Sequence, residues 1–376
     1  MAEQCIAAFD TIASALGDFT CHDAPAIVHL RSPLSLSNMT LPVLEALMVA
    51  VAVAALAHAI RRWRREGDPV NLALWLATVV YLFVIEIPLY FPNVFGVADM
   101  LGVVFVHNVF SVQFLFDRLP LYIVALYPAV VSLSYEIVRS LGVFRDRGVV
   151  LGAVCVGFVH HCFYEVFDQL GPQLRWWAWN TDNPLNHPQL ASVPMSSVFI
   201  FATLGPIVVT ALVMVLVGRA ERPGPASLAG RTLAAGVLTP VGLVVFSIPT
   251  SLFGGADPAV GVQAVLFSVE LAAVALVGTV VLIQQWLRIR SGAGRAEEPG
   301  LFLYVCGPVY LIVLVGLWLA ALPQHVAAVD GITADGTPVG SLPYALAALL
   351  AAAGSLAAAL SAARTRSADM VATRRA

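Results

Sequence analysis

The chain alternates long apolar segments with short polar connectors. A membrane span needs about 20 mainly apolar residues to cross a hydrocarbon core of about 30 Å. Nine segments meet this requirement, and most of the charged residues fall in the connectors between them. The pattern predicts an all-α, polytopic transmembrane helical bundle with spans at approximately 41–60, 70–91, 119–141, 148–168, 196–218, 232–253, 260–287, 300–322 and 341–363.

Composition supports the same class. The chain is 59% hydrophobic and only 11% charged, whereas a soluble domain carries about 25% charged residues. All 20 basic residues are arginines, in short separated clusters, and the net charge is -3. This distribution predicts the lipid bilayer as a partner and gives no indication of a nucleic-acid partner.

The arginines predict the orientation of the bundle. They cluster after the first, third, fifth, seventh and ninth spans, which places 17 of the 20 on one side of a nine-span bundle. Cytoplasmic connectors carry the excess of basic residues. We therefore predict an extracytoplasmic N-terminal segment at 1–40, a single transmembrane domain at 41–363 and a cytoplasmic tail at 364–376, in a cell membrane, with a bacterial plasma membrane as the expected location. The first 40 residues lack the pattern of a cleavable signal peptide.

Two connectors on the outer side are unusual. Residues 101–116 are apolar but short and contain polar side chains, and a tenth span there would put every later connector on the opposite side. We therefore predict a re-entrant or interfacial element at 93–117, which requires a protein-lined cavity near His107. An outer loop at 171–195 is rich in tryptophan and asparagine.

Two of the five cysteines, Cys5 and Cys21, lie in the predicted extracytoplasmic segment. A disulfide between them is compatible with an oxidising compartment, but the sequence leaves its formation open. The other cysteines lie in spans and are expected to pack as small apolar side chains.

The most informative segment is 160–168, where ionisable residues interrupt a predicted span. A charged residue at the centre of a membrane helix costs about 2.5 to 3.5 kcal/mol, which makes such residues candidates for a functional site. His161, Glu165 and Asp168 follow one another at helical spacing on one face, while His160 points about 100° away.

Further polar residues are predicted at the same depth. Glu86 and Tyr90 lie one turn apart near the outer end of the second span, and His107 lies in the 93–117 element. Glu136 is expected near the cytoplasmic side as a solvated or ion-paired structural group, and Glu270 is a second-rank candidate. The outer loop adds four candidates for substrate binding, namely Trp176, Trp177, Trp179 and Asp182. The three tryptophans are equally typical of an aromatic belt at the membrane interface.

Several chemistries are compatible with these residues. A divalent metal (zinc, iron or manganese) would take His161, His107 and Glu165 as ligands, although neither His-Glu-x-x-His nor a multi-histidine box is present. Acid–base chemistry without a metal would use Glu165, Glu86, Asp168 and His160. The same residues would also suit a proton relay in a transporter or a purely structural hydrogen-bond network.

One stretch carries a family resemblance. Trp177-Ala178-Trp179-Asn180, followed by Val193-Pro194-Met195-Ser196-Ser197 and another span, resembles bacterial carotenoid-biosynthesis membrane proteins, namely bacterioruberin-type hydratases and lycopene cyclases. The resemblance covers about 25 residues and implies acid-catalysed addition or cyclisation at the ends of long isoprenoids. The chain departs from those families in the His160–His161 pair, in having more spans, and in lacking paired glutamates after proline.

The leading hypothesis is a membrane-embedded enzyme that acts on a lipid or isoprenoid substrate at the outer leaflet. Two rival hypotheses are a proton-coupled transporter or exporter, with Glu270 and Glu136 continuing the polar route inward, and a structural membrane partner without catalysis. The sequence contains no phosphate-binding glycine loop, nucleophile elbow or dinucleotide fingerprint. It does not determine the oligomeric state.

Overall fold

The computed structural model describes residues 6–17, 19–22, 24–219, 224–255 and 258–375, with side chains up to residue 362. Within these residues, nine helices are long and apolar enough to cross a membrane, which confirms the predicted fold class. The helices are α1 (Ala7–Gly17), α2 (Thr40–Glu66), α3 (Val70–Tyr90), α4 (Ala98–Leu101), α5 (Leu121–Ser140), α6 (Val143–Asp168), α7 (Met195–Phe199), α8 (Gly205–Leu216), α9 (Pro225–Phe246), α10 (Ile248–Ser251), α11 (Val260–Arg290), α12 (Leu301–Val326) and α13 (Leu342–Arg375). The nine spans are α2, α3, α5, α6, the pair α7–α8, α9, α11, α12 and α13.

Short strands form three small antiparallel sheets in the connectors at one end of the bundle. The sheets have the orders β1–β3–β4, β2–β5 and β6–β7. We call this end the cap; it comprises the described residues of 6–39, 91–120 and 169–194. Its strands are β1 (Val28–Leu30), β2 (Phe105–His107), β3 (Val112–Phe114), β4 (Leu119–Pro120), β5 (Trp177–Trp179), β6 (Gln189–Leu190) and β7 (Val193–Pro194).

The segment 93–117 contains α4, β2 and β3 and no helix of spanning length. Its strands pair with β1 from the N-terminal segment and with β5 from the 171–195 loop. Backbone pairing therefore joins three connectors that are far apart in the sequence.

The helices α5 and α6 form the centre of the bundle. In their most apolar windows, 83% of the α5 residues and 67% of the α6 residues are buried within the protein, compared with 22% for α11. The apolar residues of α11 are therefore available to face lipid, which is favourable in a bilayer. The buried surfaces of α5 and α6 explain why polar side chains on these helices meet other protein groups.

Two irregularities shape the helices beside the site. Gly148 adopts φ 82° inside α6, a conformation that glycine tolerates, and separates a short first turn from the long segment that follows. A π-helical turn at Ile200–Leu204 joins α7 to α8. Such turns leave backbone carbonyls outside the regular helical pattern.

Each predicted span overlaps one of the nine described spans, but α2 extends to Glu66, beyond the predicted end at 60, and α6 begins at Val143, before the predicted start at 148. The predicted span 232–253 is displaced at both ends. There the structure begins α9 at Pro225 and ends it at Phe246, and the remaining residues form the separate short helix α10. Ser247 caps the C-terminal end of α9, and Pro249 lies in the first turn of α10, where a missing backbone N–H is tolerated.

Glu136 at the arginine-rich end is ion-paired, as predicted, and it is buried rather than solvated. Its carboxylate accepts hydrogen bonds from Arg139 at 2.8 Å and Asn71 at 2.7 Å, and lies 3.3 Å from His58 Nε2. Glu297 pairs with the same arginine at 2.8 Å. This network ties α2, α3 and α5 to the loop before α12.

Cys21 is disulfide-bonded. Its predicted partner, Cys5, lies outside the described residues. The cysteines within the spans, Cys155, Cys162 and Cys306, are free and buried, as expected for small packing side chains.

Candidate functional site

A small cavity lies where α3, α5, α6 and α7 meet the cap. Its volume is about 30 Å³, which is room for one or two water molecules. Five of the predicted site residues line it: Glu86, His107, Asp168, Trp177 and Trp179. The remaining wall is mainly aromatic and comprises Phe105, Ile123, Tyr127, Tyr164, Phe167, Ser197 and Phe201.

A two-stranded ribbon closes the cavity on the cap side. In the pairing of β2 with β5, Phe105 lies opposite Trp179 and His107 lies opposite Trp177. Alternate residues of a strand point to the same face, so these four rings all face the cavity. Adjacent ring centroids in this group are 5.1 to 6.4 Å apart, in edge-to-face arrangements. The ribbon is therefore an aromatic lid.

The opposite face of the lid is covered by the N-terminal helix. Val106 of β2 packs in a buried apolar cluster with Phe9, Ala13 and Leu16 of α1, and Ala178 of β5 packs against this cluster. Helix α1 thus supports the lid from above. The lid is therefore held in place by residues that are distant in the sequence from the predicted site.

Arg118 fixes the same region of the cap. Its guanidinium lies over the rings of Phe9 and Phe91, 4.6 and 4.8 Å from their centroids, and donates a hydrogen bond to the carbonyl of Tyr90. Burial lowers the pKa of Arg118 from 12.5 to about 10, so it remains a cation at neutral pH. Cation–π contacts of this kind link α1 to the end of α3.

Glu86 is buried and is held by one strong hydrogen bond. The Tyr127 hydroxyl donates to Glu86 Oε1 at 2.6 Å, while Oε2 has no hydrogen-bond partner among the described residues. The Tyr90 hydroxyl, one turn further along α3, lies beside the Glu86 carboxyl without a well-directed hydrogen bond within the described residues. Glu86 Oε2 can therefore accept a hydrogen bond from Tyr90 or from a ligand.

Asp168 reaches the same cavity from the end of α6. The Ser197 hydroxyl makes a long hydrogen bond of 3.4 Å to Asp168 Oδ2. Tyr164 lies one turn before Asp168 and also lines the cavity. Neither Asp168 nor Glu86 forms a salt bridge within the described residues.

Glu165 lies outside the cavity, although the sequence places it on one helical face with Asp168. Gln169 Nε2 donates to Glu165 Oε2 at 3.0 Å, and Gln169 Oε1 accepts the backbone N–H of Ser341 at 2.8 Å. Glu165 is thus directed towards the start of α13. Of the predicted stripe, only Asp168 lines the cavity.

The two histidines of α6 bind the π-helical turn. His160 Nδ1 donates to the carbonyl of Ala202 at 2.7 Å. His161 uses both ring nitrogens, since Nδ1 lies 2.8 Å from Thr203 Oγ1 and Nε2 lies 2.9 Å from the Tyr344 hydroxyl. The histidine pair therefore holds α6 against α7–α8 and α13, and neither ring lines the cavity.

His107 is enclosed by aromatic rings of the lid and of α5. Its Nδ1 lies 3.0 Å from the Tyr122 hydroxyl, within hydrogen-bond distance. Burial lowers the pKa of His107 from 6.5 to about 3, so the imidazole is neutral across the physiological range. A neutral imidazole beside two carboxyl groups can accept or relay a hydrogen bond without adding charge.

Of the four residues predicted in the tryptophan-rich loop, two line the cavity and two do not. Trp176 is fully buried behind the lid, where it stacks on Phe167 at 5.5 Å and donates to Thr40 Oγ1 at 2.9 Å. Asp182 is exposed in a turn of the cap. Only Trp177 and Trp179 reach the cavity, and their indole N–H groups have no hydrogen-bond partner within the described residues.

The predicted metal ligands are not brought together. His107 lines the cavity, His161 faces a groove bounded by α11 and α13, and Glu165 bonds to Gln169. Among the described residues, no three histidine, cysteine, aspartate or glutamate side chains form a group that could hold a metal ion. The geometry gives no reason to assign a metal-dependent step to these residues.

Sequence reasoning missed the tyrosines and phenylalanines of the wall. Tyr127 was indistinguishable from any aromatic residue in a span, because its partner Glu86 lies on another helix. Tyr164 was detectable, since it precedes Asp168 by four residues and so shares its face. Phe105 required knowledge of the strand pairing.

Comparison of the chain with protein-family models, curated proteins and solved structures found no match. The resemblance of the tryptophan loop to carotenoid-biosynthesis proteins therefore stays a prediction from the sequence, and the fold and the geometry of the cavity are the basis for assigning a function to this multi-pass membrane protein.

Proposed function

We propose that this protein is a membrane-embedded enzyme that transfers protons to and from an apolar, isoprenoid-type lipid substrate. One observation carries the proposal: Glu86 and Asp168 line a single aromatic cavity, and neither has a cationic partner within the described residues. Two other buried carboxylates do have cationic partners, since Asp117 pairs with Arg31 and Glu136 pairs with Arg139. Among the described residues, Glu45 and Glu165 are buried without one, but they lie outside the cavity and accept hydrogen bonds from backbone N–H groups and from Gln169.

The absence of cationic partners favours acid chemistry. An isolated carboxylate is expensive to bury, whereas a neutral carboxylic acid can be accommodated through hydrogen bonds. The hydrogen bond from Tyr127 occupies Glu86 Oε1 and leaves Oε2 to carry a proton towards the cavity. The pair is assigned one proton in the resting state: Glu86 holds it as the acid, and Asp168, which accepts a hydrogen bond from the Ser197 hydroxyl, is the ionised base.

The proposed reaction begins with proton transfer from Glu86 to a carbon–carbon double bond. A new C–H bond forms, the π bond breaks, and a carbocation and the Glu86 carboxylate result. Asp168 then accepts a proton from the carbon next to the cation, which gives a rearranged alkene, or a cyclised one if a second double bond of the chain has first added to the cation. Alternatively it accepts a proton from a water molecule whose oxygen bonds to the cation, which gives an alcohol. Transfer of that proton back to Glu86 restores the starting state.

The aromatic wall supports this assignment. A cation over an aromatic face gains about 0.5 to 2 kcal/mol, with the larger value in a desolvated site. Tyr164, Phe167 and Trp177 line the same cavity as the two carboxyl groups. Their rings stabilise positive charge and leave little room for competing water.

The volume of the cavity restricts the substrate. A space of about 30 Å³ cannot enclose a whole lipid, so only the end of an extended chain reaches the carboxyl groups, and the surrounding side chains move to admit it. Three polar groups of the cavity wall, on Glu86, Trp177 and Trp179, each have an atom without a hydrogen-bond partner among the described residues. They are suited to an oxygen-bearing end or a water molecule. An isoprenoid chain end, the substrate class implied by the tryptophan-loop resemblance, meets both requirements.

The test is incorporation of solvent deuterium into carbon. Purified protein in lipid nanodiscs is incubated in D₂O with geranylgeraniol, squalene or lycopene, and the recovered lipid is analysed by mass spectrometry. The wild type is expected to introduce deuterium into at least one of these probes. Glu86→Gln and Asp168→Asn are expected to lower the rate at least about 100-fold, the usual contribution of a general acid or base.

Glu270→Gln is the matched control. It removes a carboxyl group from a span without altering the cavity lining, and it should retain the wild-type rate. The proposal fails if none of the probes gains deuterium, or if folded Glu86→Gln and Asp168→Asn proteins remain as active as the control. Proton uptake by proteoliposomes in the absence of C–H exchange would favour a proton-coupled transporter instead.

A further inference from the structure

A second and larger cavity opens between α2 and α12 at the arginine-rich end of the bundle. Its volume is about 880 Å³, within the range of about 300 to 1,000 Å³ typical of ligand sites. None of the residues assigned to the cap site lines it. Its function is therefore separate from the proposed reaction.

The lining changes character along the membrane direction. Ala54 and Ala57 on α2 and Val305 on α12 form an apolar part, and Val305 is half exposed at the surface of the bundle. The ends of the same helices contribute arginines and glutamates. A cavity with charges at the helix ends and an apolar side towards the hydrocarbon region suits an amphiphile, with its headgroup at the charged end.

The inner wall of the cavity is rigid. The His58 ring stacks on Phe302, with 5.5 Å between ring centroids, and approaches Glu136 at 3.3 Å. A Cβ atom on Gly300 would collide with the His58 ring, so glycine is required for this close approach. The start of α12 is thereby fixed against α2.

Most of the charges around the cavity are neutralised by protein partners. Arg62 pairs with Glu66 at 2.9 Å and with Asp68 at 2.8 Å. Arg139 pairs with Glu136 and with Glu297, both at 2.8 Å. These two arginines have little capacity left for a ligand.

Two opposite charges remain. Arg61 on α2 and the Glu298 side chain before α12 both line the cavity and are exposed. Within the described residues, neither side chain forms an ion pair. The mouth of the cavity therefore offers one cation and one anion to a ligand.

We propose that this cavity binds a zwitterionic phospholipid whose headgroup combines a phosphate with a primary ammonium group, as in phosphatidylethanolamine. The phosphate pairs with Arg61, the ammonium donates to Glu298, and an acyl chain lies along Ala54, Ala57 and Val305. A purely anionic headgroup would place Glu298 beside a like charge, and a quaternary ammonium has no N–H to donate.

The test measures lipid retention rather than turnover. The purified protein is mixed in detergent with equimolar phosphatidylethanolamine, phosphatidylcholine and phosphatidylglycerol of identical acyl chains, and the lipid-bound species are measured by native mass spectrometry. The expected preference for phosphatidylethanolamine over the other two is about tenfold, the factor that 1.4 kcal/mol represents. Arg61→Gln should reduce its retention, and Glu298→Gln should abolish its preference over phosphatidylglycerol.

Arg64→Gln is the control, because Arg64 lies on the same helix end but does not line the cavity. It should bind lipid as the wild type does. Equal retention of the three lipids, preferential retention of phosphatidylglycerol, or unchanged binding by folded Arg61→Gln and Glu298→Gln proteins would each overturn the proposal. These results do not depend on the cap site, so the enzymatic proposal stands or fails independently.

Discussion

His107 and Trp177 are direct cross-strand partners in the lid, with 6.4 Å between their ring centroids. They belong to connectors that flank α5 and α6 on opposite sides in the sequence. A neutral imidazole and an indole from two distant segments thus form one surface above Glu86 and Asp168. The packing of this surface can be tested with a substitution that displaces one of its rings.

Gly171→Ala is expected to displace the lid. A Cβ atom at Gly171 would overlap the Trp177 indole, and overpacking of this kind costs about 1 to 3 kcal/mol. The variant should unfold at a lower temperature in detergent, as measured by tryptophan fluorescence, and should exchange less deuterium into substrate. Gly316→Ala provides the control, since a Cβ atom there meets nothing within 4 Å; equal behaviour of the two variants would contradict the packing of Trp177.

Tyr127→Phe is expected to impair the acid without changing the shape of the cavity. The substitution removes the 2.6 Å hydrogen bond to Glu86 and leaves a buried carboxyl oxygen unpaired, which costs about 1 to 3 kcal/mol. Thermal unfolding in detergent should show the loss, and the rate of deuterium incorporation should fall. Tyr304→Phe, at an exposed tyrosine of α12, should alter neither, and a wild-type rate in Tyr127→Phe would argue against Glu86 as the acid.

The stability of the cap should decrease in acid because of His107. Its pKa is about 3 in the folded protein and 6.5 as the ordinary value. Between these pH values the unfolded chain binds a proton that the folded chain does not. The free energy of unfolding therefore decreases as the pH is lowered from 6.5 towards 3, by at most about 1.4 kcal/mol per pH unit. Above pH 6.5 the neutral His107 causes no loss of stability.

Thermal unfolding from pH 7.5 to 4.5 checks this effect in wild type and in His107→Asn, which keeps a polar group near Tyr122. The variant should show a shallower pH dependence. Tyr90 and Tyr122 contact the imidazole, Glu86 and Asp168 line the same cavity, and all four are unchanged in both proteins. Parallel curves would show that His107 does not stay neutral in the folded state.

Arg139→Gln is expected to be strongly destabilising. It would leave the Glu136 carboxylate buried without its arginine, and removing one partner of a buried ion pair costs about 3 to 5 kcal/mol. The double variant with Glu136→Gln should recover much of the loss, because no uncompensated charge remains. Thermal unfolding of the single and double variants measures the difference, and equal unfolding temperatures would show that the pair is not coupled.

The predicted metal centre can be tested by elemental analysis of wild type beside His161→Ala. Both nitrogens of His161 are engaged by Thr203 and Tyr344, so the geometry leads us to expect equal metal content in the two proteins. A stoichiometric metal that disappears in the variant would instead support the ligand set His161, His107 and Glu165 and would require those side chains to move together.

Hydrophobicity alone was sufficient to predict the nine spans, because every backbone group in lipid must be satisfied within a helix. The cap was not predictable in the same way. Each of its strands has two or three residues, too few for a recognisable alternation. The pairs β1–β3 and β2–β5 also join different connectors. The sequence therefore indicated that the 93–117 and 171–195 segments were unusual without showing that they pair.

The ionisable residues illustrate a second limit. Helical spacing placed His161, Glu165 and Asp168 on one face, yet α6 is surrounded by protein and each side chain meets a different neighbour. The histidines contact a π-helical turn that no spacing rule predicts. Glu86 and Asp168 were identified individually, and only the packing of both α3 and α6 against α5 shows that they share a cavity.

The pairing of β2 with β5 also sets an order for assembly. Trp177 follows His107 by 70 residues, and both α5 and α6 lie between them. Strand pairs that are distant in sequence form after local structure, because the intervening loop must close first. A chain interrupted before residue 177 can insert its early helices but cannot build the lid, so the cavity becomes available only once the central helical hairpin is complete.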